Sequence, residues 1–221
     1  MTTVIQDKIR IRMINHSYFA VECHPAQEQE LRTYFSFFVP GYKFMPAYKR
    51  RVWDGKVKLY NQVTKQMNVG LYSHLRRFCA DRFYQLEILE HPDYGVPSYK
   101  DDIDHPTLIK FLNSLGTPFE PRDYQYKAIA HGVENLRCIL LSPTGSGKSF
   151  IIYNLARYCY EVTEGKILVV VPTTSLVEHM YTDFEDYGYD VENECHRVYS
   201  GTEKVTDKRI LISTWQSIYK V

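Results

Sequence analysis

The segment Cys138-Ile139-Leu140-Leu141-Ser142-Pro143-Thr144-Gly145-Ser146-Gly147-Lys148-Ser149, running into the apolar stretch Phe150 to Tyr160, constrains this chain more than any other. Four apolar residues, a glycine-containing loop and a helical period predict strand, tight loop and helix in immediate succession. A loop that wraps a phosphate must converge backbone N–H groups on one point. Gly145 and Gly147 permit the unusual dihedrals and the close approach this requires. The N-terminus of the following helix adds partial positive charge. Pro143, Thr144 and Ser146 complete the cradle, Lys148 is spaced to reach the β- and γ-phosphates, and the Ser149 hydroxyl is placed to ligate Mg²⁺. The first glycine of the GxxxxGK[ST] pattern is Ser142 here. A mere Gly-Ser turn with a solvated lysine would leave the flanking strand and helix without a reason. The loop predicts ATP binding with Mg²⁺, Lys148 and Ser149 being the catalytic groups.

Around this loop the chain divides by charge. Its 27 Lys and Arg and 26 Asp and Glu look balanced. Residues 1–100, however, hold 15 basic against 9 acidic residues, a balance of +6, and the remainder 12 against 17, a balance of −5. Two modules with different partners follow, the basic one being the candidate for nucleic acid. In residues 1–90, strict alternation over Lys8 to Ile14 predicts a strand with a basic outer face, and a second strand follows over Tyr18 to Cys23. Pro25 opens a helix with Leu31, Tyr34, Phe35 and Phe38 on one stripe, ended by Pro40-Gly41. Asp54-Gly55 predicts a tight turn into a strand through Val57 and Leu59. Gly70 precedes a helix burying Leu71, Leu75, Phe78 and Cys79, and a strand over Gln85 to Leu89 closes a small α+β domain with helices on one sheet face. Residues 91–104, with two Pro, one Gly and no apolar period, read as a linker. From 105 to 221, Asp104 ahead of Pro106 starts a helix. Short apolar strands (Arg137 to Leu141, Lys166 to Val171, Arg209 to Ile212) then alternate with helical stretches, as in a buried parallel sheet of crossover units.

Four further segments carry a resemblance. The octet 142–149 resembles motif I of superfamily 2 helicases. Phe119-Glu120-Pro121-Arg122-Asp123-Tyr124-Gln125 is similar to their adenine-recognising Q-like motif, and a Gln side chain such as Gln125 can pair bidentately with an adenine edge. Pro172-Thr173-Thr174-Ser175 resembles motif Ia, whose small hydroxyl residues at a helix start suit a nucleic-acid backbone. Ser200-Gly201 resembles the motif Ib turn, and Ser213-Thr214-Trp215-Gln216 resembles motif Ic. One departure is His179, where many relatives place Gln. Together these cover about residues 119–217. Upstream, Tyr42-Lys43-Phe44-Met45-Pro46-Ala47-Tyr48, Trp53-Asp54-Gly55-Lys56 and Gly70-Leu71-Tyr72 resemble the leader domain of a phage branch of that superfamily. The resemblance implies an ATP-dependent DNA helicase with a RecA-like first motor lobe, acting on branched DNA in recombination and repair. Junction migration, fork regression and dissociation of R-loops are its implied tasks, with phosphate contacts at Thr173, Thr174, Ser200, Gly201, Ser213 and Thr214 and nucleotide contacts at Phe119, Arg122 and Gln125.

Independently of that resemblance, residues 43–82 hold ten Lys or Arg against Asp54 and Asp81, interleaved with Phe44, Tyr48, Trp53, Tyr60 and Tyr72. Such a surface binds phosphates in a salt-sensitive, largely sequence-independent way. Lys49, Arg50, Arg51, Arg76 and Arg77 are its DNA-contact candidates. The aromatics as a group are needed for burial in so small a domain. For Trp53, stacking on an unpaired base and core packing stand equally open.

A motor of this kind also needs a carboxylate pair for Mg²⁺ and water and an arginine finger from a second lobe. No Asp-Glu pair follows an apolar strand after Lys148, Glu185-Asp186 lying in a polar stretch. The chain therefore reads as an N-terminal fragment, binding nucleotide and DNA without unwinding, the second lobe being absent. Two rivals are an ATP-switched DNA-binding protein complete in itself and a P-loop small-molecule kinase. RNA stays open as a substrate, because phosphate contacts do not read the sugar. No histidine sits at metal-ligand spacing, and the five cysteines, without a CxxC pair, read as reduced packing residues. With neither a signal core nor an apolar run near the ~20 residues of a membrane helix, the expected place is the cytoplasm, and the resemblance implies that of an infected host cell.

Overall fold

A computed structural model describes residues 8–97, 103–135, 137–203 and 205–219. It falls into two compact units, Met1–Tyr99 and Lys100–Val221. Residues 98–102 of the expected linker lie outside the described residues, and His91 and Gly95 form an isolated antiparallel bridge just before them.

In the first unit β1 (Lys8–Met13) pairs antiparallel with β2 (Tyr18–Glu22) and parallel with β7 (Gln85–Leu89). β6 (Gln66–Asn68) and β5 (Tyr60–Asn61) extend the sheet beyond β2 in the order β5-β6-β2-β1-β7. Period-2 alternation decides which face is wet: Ile9, Ile11 and Met13 are buried, while outward-facing Lys8 and Arg10 both bridge to Glu87 on β7. Helices α1 (Pro25–Tyr34) and α3 (Tyr72–Asp81) lay Leu31, Leu75, Phe78 and Cys79 into one core with Ile9, Ile11, Phe19 and Val21. Full burial of each such large apolar side chain contributes roughly 1.5–3 kcal/mol.

The expected first helix is too long. It ends at Tyr34, Phe35 caps it, and Ser36–Phe38 forms β3, which pairs antiparallel with β4 (Lys56–Lys58). Once the Leu59 N–H donates to the Phe35 carbonyl at 2.8 Å, ladder pairing satisfies this backbone and turns Phe38 outward. Between β3 and β4 lie the short α2 (Pro46–Lys49) and the Asp54-Gly55 turn, with Gly55 at φ 79°.

In the second unit Asp104 caps α4 (His105–Ser114) by accepting from the Thr107 N–H at 3.2 Å. Then come α5 (Asp123–Asn135), α6 (Lys148–Val162), β8 (Ile167–Val171), α7 (Thr174–Asp186), α8 (Val191–Glu194), β9 (Cys195–Val198), β10 (Ile210–Thr214) and α9 (Trp215–Ile218). The three strands form an all-parallel sheet in the order β8-β10-β9.

Four expectations are corrected here. Cys138–Leu141 is irregular, with Ile139 87 % and Leu141 94 % exposed. Among the described residues no strand lies alongside to pair its backbone, and an unpaired strand has no ladder to hold it. β9, with no expected counterpart, takes the edge beside β10. The sheet is buried on one face only: Val169 and Val171 pack inward with α6 and α7 while Leu168 and Val170 are half-exposed. Cys138 and Cys159 are exposed too, so only Cys79 and Cys195 are fully packed thiols.

Candidate nucleotide site and nucleic-acid interface

The loop 142–149 turns on two left-handed glycines, Gly145 at φ 77° and Gly147 at φ 75°. The left-handed backbone favours glycine at 147, and a Cβ there would displace the Gln125 amide, whose Nε2 it would crowd. The Ser146 hydroxyl donates to the Pro143 carbonyl at 2.8 Å and also meets the Ser142 hydroxyl. Ser142 thus braces the loop from the position where the common pattern has glycine. Lys148 Nζ folds back onto the carbonyls of Pro143 (2.7 Å) and Ser142 (3.3 Å). No side chain caps α6, so the N–H groups of its first turn lack side-chain partners.

Gln125, at 6 % exposure, reaches into the loop from α5. Its amide donates to the Ser146 carbonyl at 3.0 Å, and its carbonyl accepts from the Arg122 N–H at 2.9 Å. One N–H and one lone pair remain for a ligand edge. Phe119, Glu120, Arg122, Tyr124 and Gln125 meet Gly145–Gly147 around a cleft of about 280 Å³. Tyr124 also lines a second cleft, of about 540 Å³, with His131, Ile139, Leu141 and Ser142–Ser146. The structure thus gathers Phe119, Arg122, Gln125 and the octet at one place. Phe119 packs on Phe150 (ring centroids 4.7 Å apart) and edge-on to Tyr187 (5.7 Å).

Tyr187, just past α7, is the residue sequence reasoning missed. Its hydroxyl lies 2.9 Å from that of Ser149. Burial pushes its phenol pKa up, the Ser149 hydrogen bond opposing, so it stays protonated at neutral pH. Nothing in the sequence pairs positions 149 and 187, whose meeting depends on how α6 packs against α7. Mg²⁺ takes few protein ligands and fills its shell from phosphates and water. A half-buried serine hydroxyl at an uncapped helix N-terminus fits that role.

Of the residues expected to meet a nucleic-acid backbone, exposed Thr173 caps α7 by accepting from the Leu176 N–H at 3.3 Å, and Thr174 beside it is exposed. Ser200 and Gly201 (φ 93°) form an exposed turn closed by Tyr199 and Thr202. Two expected phosphate contacts are corrected. Ser213, at 1 % exposure, donates to the Val198 carbonyl at 2.7 Å, and Thr214, at 5 %, pairs with Ser217. Both hydroxyls are spent holding the β9–β10 edge and the start of α9, away from solvent.

In the first unit Lys43, Tyr48, Lys49, Arg51, Trp53 and Lys58 line an open cup of about 670 Å³. Asp54, bridged to Lys58 at 2.7 Å, is the acid at its rim. Trp53 is half-buried, its indole N–H donating to the Lys56 carbonyl at 2.9 Å. It is therefore an anchored wall with one face toward the cup. Arg50, Arg76 and Arg77 are exposed but lie outside it. Tyr60 and Tyr72 are core residues, whereas Phe44 is exposed.

Comparison with known proteins matches residues 118–221 to the family of the type III restriction enzyme res subunit and residues 8–89 to the N-terminal family of the DNA helicase UvsW. The ATP-dependent DNA helicase uvsW of Enterobacteria phage T4 is 33 % identical over 96 % of this chain and 43 % of its own length. The chain thus spans less than half of that curated relative. The UvrABC system protein B of Kosmotoga olearia is 37 % identical over 79 residues, 34 % of this chain and 11 % of its own. A crystal structure of the UvsW helicase from bacteriophage T4 superposes with a TM-score of 0.81 at 31 % identity, over 97 % of this chain and 77 % of that one. A second T4 UvsW structure gives 0.82 at 31 % identity, over 97 % and 44 %.

Proposed function

Because this chain belongs to the UvsW helicase family, we propose that it is the DNA-engaging and ATP-binding portion of an ATP-dependent helicase acting on branched DNA. The observation that carries the reading is the octet 142–149, wrapped on two left-handed glycines at the uncapped start of α6. The second unit is then a RecA-like first motor lobe. Phe119, Arg122 and Gln125 take the base end of ATP, and Lys148 swings from the Pro143 and Ser142 carbonyls onto the β- and γ-phosphates, where its charge is worth more. When bound, Mg²⁺ would neutralise phosphate charge, held on the protein side by Ser149.

Thr173, Thr174 and the Ser200-Gly201 turn contact the phosphate backbone. The basic cup adds sequence-independent affinity through Lys49 and Arg51, with Trp53 offering a stacking face, while Arg50, Arg76 and Arg77 extend the charge. R-loops and RNA fall within the same phosphate chemistry. These 221 residues are assigned binding rather than turnover, supported by the lack of an Asp-Glu pair after an apolar strand beyond Lys148. The parent enzyme works in the infected host cell; among the described residues no helix is long and apolar enough to cross a membrane. The test is ATP hydrolysis by this chain with and without a four-way junction, beside equilibrium binding of both ligands. Binding of both without turnover is expected. DNA-stimulated turnover abolished by Lys148→Ala would place a complete catalytic set within these residues and overturn the assignment.

A further inference from the structure

A serine that ligates a cation spends a lone pair of its hydroxyl oxygen on the metal and must place its proton elsewhere. Among the described residues the hydroxyl that meets Ser149 is Tyr187 Oη, at 2.9 Å. The phenol is not free to wander. It is buried, and its ring stands edge-on to Phe150 (5.1 Å) and Phe119 (5.7 Å) and tilted against Tyr153 (5.2 Å). The backbone that carries it is tied to α7 by its N–H, which donates to the Asp183 carbonyl at 3.0 Å.

We propose that Tyr187 is a positioning residue for the metal-bound nucleotide: it accepts the Ser149 proton and so aims the Ser149 lone pairs at Mg²⁺. The role rests on the ATP-binding reading of the loop. Without this partner the Ser149 hydroxyl is a free rotor that donates to any nearby acceptor, and ordering it must be paid at the moment of binding. With it, the oxygen is oriented beforehand, and the ring that orients it also touches Phe119 at the base end of the same site. One rigid aromatic side chain thereby links the two ends of the nucleotide site.

The test uses the whole 221-residue chain and ATP itself, titrated calorimetrically with Mg²⁺ and again with EDTA. Tyr187→Phe keeps the ring and removes only the hydroxyl. The gain in ATP affinity on adding Mg²⁺ should fall about fivefold, on the order of one hydrogen bond, with affinity in EDTA unchanged. In a Ser149→Ala background, adding Tyr187→Phe should change nothing further, because the two act as one unit. Loss of the same factor with and without Mg²⁺ would reveal a structural role only and overturn the proposal. An unchanged or larger Mg²⁺ gain would overturn it as well, the larger gain meaning that Tyr187 competes with the metal for Ser149. ATP bound by the unaltered chain without any Mg²⁺ effect would refute this role alone, whereas no ATP binding under either condition would refute the nucleotide reading itself.

Discussion

Gln125 donates its side-chain amide to the Ser146 carbonyl at 3.0 Å, from a position that a Cβ on Gly147 would disturb. Helix α5 and the glycine loop, the two walls of the cleft, are thus joined by a buried hydrogen bond. Gln125→Ala strands the Ser146 carbonyl and the Arg122 N–H, a desolvation cost of about 1–3 kcal/mol. Urea unfolding should show that loss, and ATP affinity should drop roughly tenfold. Gln125→Glu, whose carboxylate cannot donate to a carbonyl, should not restore it.

Gly55 stands at φ 79°, and a Cβ there would lie 2.4 Å from the Tyr42 ring. Gly55→Ala must strain the turn and push that ring away at once. A loss of about 2 kcal/mol is expected in urea unfolding, with weaker DNA binding because the turn borders the basic cup.

Phe83 holds a left-handed backbone, φ 58°, with its side chain 92 % exposed. A bulky residue gains no packing there and bears the Cβ penalty of roughly 1–2 kcal/mol. Glycine removes that penalty and returns part of it through a freer unfolded chain. Phe83→Gly should raise stability by about 0.5–1 kcal/mol, read as a higher Tm.

Lys49 and Arg51 share the cup with Trp53. The double change Lys49→Ala, Arg51→Ala should weaken binding to any DNA sequence and shallow the slope of log affinity against log salt by about 2. Trp53→Ala should instead lower affinity for gapped or forked DNA more than for plain duplex. Its anchoring hydrogen bond to Lys56 makes a circular-dichroism check of folding part of that measurement.

Burial raises the Cys195 thiol from its ordinary 9.0 to about 12. A thiol that keeps its proton longer when folded stabilises the fold fully below the unfolded value, and that contribution is lost as pH rises toward the folded one. Stability of the second unit should therefore fall above pH 9, and Cys195→Ala should flatten the fall. Urea midpoints across that range give the comparison.

Much of this was legible in the chain because the signals are local. Alternation over Lys8–Met13 reports which side of a strand is buried, Asp104 before Pro106 reports a capped start, and the octet reports its own loop, since glycine, lysine and serine act within a few residues of one another. What stayed hidden depends on partners far along the chain. Ser36–Phe38 carries a helical stripe yet becomes a strand because Lys56–Lys58 lies ready to pair with it. Cys138–Leu141 carries a strand's apolar run yet stays irregular because no described strand is beside it. Ser213 looks like a surface hydroxyl until β9 arrives to accept its proton. The sequence by itself determined the tight glycine loop ahead of α6 and the opposite charges of the two halves of the chain, all set by covalent neighbours and composition. Only the tertiary structure decided that Tyr187 meets Ser149, that Gln125 locks the loop and that Trp53 is anchored, because burial and hydrogen-bond satisfaction are settled by the groups that packing brings together.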